Sequence, residues 1–185
     1  MSHLTFSLSH TTRSPRSGEV DGRDYRFVSR QTFAQAIAAG RMAEWAEVYN
    51  SHLYGTTRDT IEQAVAGGDD IIFDIEQKGA RQLCAAYPDV VTILVLPPSL
   101  QVLRQRLVDR GTETGPGLEE RLHRAEQEIE SMHWYRYAFI NDRFTDAVQQ
   151  LERIIVAERS GRFGQPDMTR VRACIAEVLH ERDRT

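Results

Sequence analysis

Asp70-Ile-Ile-Phe-Asp74 and Val90-Val-Thr-Ile-Leu-Val-Leu96 are continuous apolar runs, the first ending in a carboxylate and the second stopped by Pro97-Pro98. Unbroken runs of this length suit central strands covered on both faces, the habit of parallel sheets. Between them, Gly79 to Ala86 can form the crossover helix that a parallel pair needs. Ser99 is placed to cap a further helix running to about Arg110. Strand-helix alternation of this kind predicts an α/β fold, a parallel sheet flanked by helices.

Working outward, Leu4-Thr-Phe-Ser-Leu8 alternates as a strand does, and Tyr25-Arg-Phe-Val28 reads as another short strand after the Gly18/Gly22 turn region. Ser29 is an N-cap for a helix through Phe33-Ala-Gln-Ala-Ile37 that stops at Gly40, and Thr57 caps a second ending at Gly67-Gly68. Past Gly111 to Gly117, helical spacing resumes from Leu118 to Ser131. Tyr137-Ala-Phe-Ile140 is a final strand, and a helix follows from about Thr145 to Glu158 with Ala147, Val148, Leu151, Ile154 and Ile155 on one face. Gly161 to Pro166 then reads as a linker to a last amphipathic helix, which gives residues 1–160 as the main domain and 161–185 as an appendage.

The 185 residues suffice for one domain with a substantial core. A net charge of -4 argues against nucleic acid held by a general basic field, while leaving room for a local basic pocket and a nucleotide monomer. Cys84 and Cys174 have neither metal-ligand nor disulfide-framework spacing, so reduced thiols are expected. The N-terminus lacks a signal-peptide pattern and no stretch is long enough to span a membrane, so a cytoplasmic location is expected.

Chemistry concentrates after the first strand. Ser9, Thr11, Thr12, Arg13 and Arg16 lie where an α/β sheet opens its ligand crevice, and hydroxyls with two arginines can clasp a phosphate dianion through charge-assisted hydrogen bonds. Taken alone, such a loop is more often a solvated turn. Read singly, Tyr25 and Tyr54 also suit core aromatics, and Glu44 a solvated helix or strand end. The chain's one lysine, Lys78, follows Asp74-Ile-Glu76-Gln77 and has none of the spaced glycines of a phosphate-wrapping loop.

The whole run Ser9-His-Thr-Thr-Arg-Ser-Pro-Arg-Ser-Gly-Glu-Val-Asp-Gly-Arg-Asp-Tyr-Arg-Phe-Val28 closely resembles the guanylate kinase family. The similarity continues in order through Glu44-Trp-Ala-Glu-Val, Leu53-Tyr-Gly-Thr56, Asp74-Ile-Glu76, Leu96-Pro-Pro-Ser99, Arg110-Gly-Thr112, Arg121-Leu122 and Ile140-Asn-Asp142. It implies a P-loop-kinase-like sheet, a GMP-binding lobe across about residues 10–68 and a helical lid near 106–130. It also implies that Ser9, Arg13, Arg16, Tyr25 and Tyr54 hold the GMP phosphate, and that Glu44, Thr56 and Asp74 or Glu76 contact the guanine. Arg106, Arg110 and Arg121 fall in the lid region, where the family's arginines close over the phosphates, and Asn141 falls on the cofactor side. Asp74 ends its run as a Walker B carboxylate does, positioned toward magnesium or its waters.

The family's opening strand and its Gly-x-x-Gly-x-Gly-Lys-[Ser/Thr] loop would precede Leu4 and do not occur in these residues. The expectation is therefore a GMP-binding chain with weak or absent phosphotransfer of its own, ATP and Mg2+ entering only if it is active. The alternatives are an active guanylate kinase whose loop comes from upstream sequence or a partner, and a phosphopeptide-binding module of scaffold type. A sheet without its first strand is expected to expose an edge that a protein partner or a second copy covers. Smaller departures are Lys78 in place of a glutamine, Gly115-Pro-Gly117 in the lid, and Arg143 in place of an acidic residue.

Overall fold

The computed structural model describes residues 1–48, 52–109 and 115–161. The expected linker and last helix beyond Gly161, and Arg110 to Thr112, lie outside these residues. The chain divides into two compact units, residues 1–90 and a second beginning at Val91.

In the first unit, β1 (Leu4–Phe6) pairs in parallel with β6 (Asp70–Ile72), in register Leu4 with Asp70 and Phe6 with Ile72. A second, mixed sheet has the order β3-β2-β5-β4, from β2 (His10–Thr11), β3 (Arg26–Phe27), β4 (Met42–Val48) and β5 (His52–Thr57). Helix α1 (Arg30–Ala38) starts where expected, because the Ser29 hydroxyl accepts from the Thr32 amide at 3.0 Å. Helix α2 (Arg58–Ala66) follows Thr57, whose hydroxyl pairs with that of Thr60 at 2.9 Å rather than capping the backbone. Helix α3 (Gln77–Ala86) follows β6.

Two apolar clusters hold this unit together. Phe33 of α1 packs with Met42 and Leu53 of the mixed sheet, and Leu83 of α3 packs with Ala43 and Ile61, backed by Phe73, Ile75 and Val90. At 1% exposure each, Phe33 and Leu83 anchor the two sets. Since α3 packs on β4, the strand carrying Glu44 lies against the start of this helix.

In the second unit β7 (Ile93–Leu96) pairs in parallel with β8 (Tyr137–Ile140), Ile93 opposite Tyr137 and Leu96 opposite Ile140. Helix α4 (Leu100–Asp109) begins at Ser99, whose hydroxyl accepts from Val102 at 3.1 Å, and α5 (Pro116–Glu130) packs on it through Leu107, Leu118 and Leu122. A 3-10 turn, Met132–Trp134, leads into β8, and α6 (Phe144–Arg159) follows.

Three details depart from the sequence reading. The apolar strands β1–β6 and β7–β8 form two separate parallel pairs, so among the described residues each of these four has a partner on one side only. They are also less covered than unbroken apolar runs suggest: Ile71 and Ile72 are half-buried, and Val95 is 50% exposed. The β4–β5 hairpin has no counterpart in the reading, although it supplies the longest strands of the unit.

Candidate functional site

The hairpin places Glu44. Glu44 sits opposite Thr56 across the β4–β5 ladder, just after a register irregularity between Met42 and Glu44. The irregularity replaces alternation with a run of buried residues, so that Met42, Ala43 and Glu44 are all covered. Glu44 is 3% exposed and Thr56 fully buried. A carboxylate so enclosed loses water, and this burial raises its pKa from 4.5 to about 6 despite the opposing hydrogen bonds from the Thr56 side chain and backbone. Its Oε1 is buried with no hydrogen-bond partner. An unsatisfied buried carboxylate oxygen is costly, and a ligand with N–H donors relieves it.

Two glycines make room for Glu44, one at its backbone and one at its carboxylate. Gly55 is opposite Trp45 on β5, and a Cβ there would stand 2.5 Å from the Glu44 carbonyl oxygen and 2.8 Å from Trp45 Cβ. Gly79, in the first turn of α3, is buried against Glu44 Oε2. Neither glycine emerges from the search for phosphate and base contacts in the sequence.

Ser9 lies beside Thr56 and Glu44 in this structure. Its hydroxyl lies 3.1 Å from that of Thr56, so Ser9, Thr56 and Glu44 form a continuous polar path. The Ser9 carbonyl also accepts from the Arg26 amide at 2.9 Å, which fixes the loop entering β2.

Arg13 is held on several sides. Its Nε donates to the Tyr54 hydroxyl at 3.0 Å, and Nη1 and Nη2 donate to the two Glu19 oxygens at 2.8 Å each. Tyr25 and Phe27 rings lie 5.5 and 5.7 Å from its guanidinium carbon, a cation–π distance in both cases. The Arg16 amide donates to Glu19 Oε2 at 2.6 Å. Glu19 thus ties the two arginine positions into one loop, and its fork with Arg13 is the main reason its carboxyl falls to about 2. No role for Glu19 is legible in the sequence, because an acid six residues after an arginine in a polar loop is usually solvated.

Tyr25 stacks edge-on to Tyr54 at 6.0 Å. Burial raises the Tyr25 phenol above its usual value, with the Tyr54 and Asp74 charges adding to it. Asp74, exposed beyond the end of β6, is therefore electrostatically coupled to the Tyr25 phenol. Glu76 is the residue preceding α3, and its carbonyl accepts from Ala80 at 3.0 Å. The first unit accordingly gathers Ser9, Arg13, Tyr25, Glu44, Tyr54 and Thr56 around one loop and one hairpin, with the Arg16 backbone tied in through Glu19.

The remaining candidates belong to the second unit. Arg106 of α4 donates from Nη1 to the Asn141 carbonyl at 2.8 Å and from Nη2 to the Asp142 carbonyl at 3.2 Å, clipping the turn after β8. Arg121 is half-buried on α5, and Asn141 donates its amide to Leu96 at 2.7 Å as it leaves the β7–β8 ladder. Arg110 lies outside the described residues.

Comparison with known proteins bears on the family of the chain. The guanylate kinase family model matches residues 1–158. The guanylate kinase of Symbiobacterium thermophilum is 45% identical over 157 residues, 85% of this chain and 74% of the relative. That of Geobacter metallireducens is 44% identical over 161 residues, 87% of this chain and 79% of the relative. Among solved structures, guanylate kinase from Anaplasma phagocytophilum superposes with a TM-score of 0.71 at 29% identity, over 94% of this chain and 84% of that one. With the match running through nearly all the described elements, the chain belongs to the guanylate kinase family.

Proposed function

We propose that residues 1–185 bind GMP, its phosphate at Arg13, Arg16, Tyr25 and Tyr54 and its guanine edge on Glu44, and that by themselves they transfer phosphate from ATP weakly. The observation that carries this reading is the buried, unpartnered Glu44 Oε1. Guanine presents N1–H and N2–H2 side by side, the donor pair that two carboxylate oxygens accept together. Adenine presents an acceptor at N1 in the same place, so the carboxylate rejects it. Weak turnover follows from the donor side: Lys78 lacks the glycine spacing of a triphosphate cradle, and backbone donors and a lysine at the β/γ oxygens are large terms in phosphoryl transfer.

Among the described residues no group of three His, Cys, Asp or Glu side chains could hold a metal. Magnesium bound with nucleotide phosphates needs only one or two carboxylates beside its waters, and we assign the exposed Asp74 to that contact. In the same reading Arg106, Arg110 and Arg121 belong to the lid, and Asn141 to the cofactor side. A second reading, a fully active ATP:GMP phosphotransferase, is favoured by the names of the bacterial relatives.

Isothermal titration of the 185-residue chain with GMP, with AMP as control, followed by ATP in a coupled ADP assay, separates these. Selective GMP binding without ADP release supports the first reading, and selective binding with rapid turnover the second. Absence of GMP binding overturns both.

A further inference from the structure

Gly79 is a glycine where the backbone does not require one. Its φ is not among the left-handed glycines of the chain, which are Gly18, Gly22, Gly40, Gly68, Gly115 and Gly161. It is the third residue of α3, inside the helix, where alanine would favour helix formation over glycine. Only space explains its identity. A Cβ at this position would collide with Glu44 Oε2, while its next neighbours, Glu44 Cδ at 3.3 Å and Ile75 Cδ1 at 3.5 Å, are at tight or ordinary contact. The carboxylate has little freedom to retreat: Glu44 is 3% exposed and hydrogen-bonded by Thr56.

We propose that Gly79 is a positioning residue that sets guanine specificity, its missing side chain being what lets the Glu44 carboxylate lie against the first turn of α3 with the buried Oε1 left without a protein partner, as an acceptor for the base. The inference rests on the reading of this pocket as the GMP site. A methyl group at residue 79 turns the carboxylate out of the plane in which both oxygens accept from one base edge. The loss falls on the ligand that uses both oxygens. Inosine monophosphate, which lacks the 2-amino group, uses one fewer hydrogen bond and is hurt less, so the ratio of the two affinities reports carboxylate placement rather than general stability.

The test is a double-mutant cycle on the 185-residue chain, with Gly79→Ala and Glu44→Ala singly and together, titrated with GMP and inosine monophosphate and melted without ligand. The wild type is expected to prefer GMP by about tenfold to a hundredfold, the worth of one charge-assisted hydrogen bond. Gly79→Ala is expected to weaken GMP by about tenfold or more and to bring the two ligands within about threefold of each other, because the second bond is lost. In the Glu44→Ala background the same change should leave both affinities unaltered and raise Tm, because the collision is gone and only the helix preference remains. An unchanged GMP preference in Gly79→Ala, an equal loss for both ligands, or the same loss without Glu44 overturns the proposal. Should Gly79→Ala fail to fold, the double variant decides: a folded double variant supports the proposal, and an unfolded one overturns it. If the wild type itself shows no GMP preference, the pocket reading falls and the specificity role falls with it; failure of this inference alone leaves that preference intact.

Discussion

Glu44→Gln separates the cost of this site from its use. Burial raises the Glu44 carboxyl from 4.5 to about 6. A folded-state value above the unfolded one means a stabilising contribution present in full below pH 4.5 and lost as pH rises through about 6. Each pKa unit corresponds to about 1.4 kcal/mol, so the shift of about 1.5 units costs the fold about 2 kcal/mol at pH 8 relative to pH 4. Glutamine does not titrate. Its fixed packing and hydrogen-bond changes cancel when the variant's stability relative to wild type is compared at the two pH values, leaving the difference of about 2 kcal/mol in the variant's favour at pH 8. In a domain of this size that is a swing of about 4–8 °C in Tm. Thermal melts of ligand-free protein between pH 4 and 8 measure it. The ligand-free comparison is the cleaner one, because the second ionisation of a phosphate also falls near pH 6. The same variant should lose most of its GMP affinity, since an amide offers one acceptor where the base needs two. Curves for variant and wild type that stay parallel across this range would refute the argument that Glu44 is buried as an unrelieved carboxylate.

Three further outcomes follow from the geometry. Arg13→Lys keeps the charge but loses the fork that meets Glu19 and the bond to Tyr54, and should weaken GMP about tenfold to a hundredfold by titration. Gly55→Ala places a methyl against backbone and Trp45 Cβ with nowhere to go, and should cost about 1–3 kcal/mol in urea unfolding. Arg106→Ala removes two bonds to the turn at 141–142 and should lower stability by about 1–3 kcal/mol, read as a lower urea midpoint at unchanged m.

Local signals carried well from sequence to structure where one residue acts on its own neighbours. Ser29 and Ser99 start helices because a hydroxyl beside an amide is a local event, and Tyr137–Ile140 forms a strand as its apolar run suggests. The β4–β5 hairpin was illegible for the opposite reason. Met42-Ala-Glu-Trp-Ala-Glu-Val48 is rich in helix formers, and its partner strand contains Gly55, a residue that weakens strands. Tertiary burial on both faces overrides those preferences. The residues proposed to hold the phosphate were visible as a basic, hydroxyl-rich loop, but the Arg13–Glu19 fork that ties that loop together was not, because the pairing depends on a turn between them.

The least legible part of the site is the part without functional groups. Gly55 and Gly79 touch no ligand in the proposed arrangement, yet each stands where another residue would suit its own element better. A glycine inside a strand and a glycine inside a helix, both with ordinary φ, are unexplained by backbone geometry and point to something pressing close. Here both point at Glu44, from its backbone on one side and its carboxylate on the other. Costly residue choices in two separate elements, converging on one buried glutamate whose Oε1 has no partner, fit the proposed pocket built around a base-reading carboxylate.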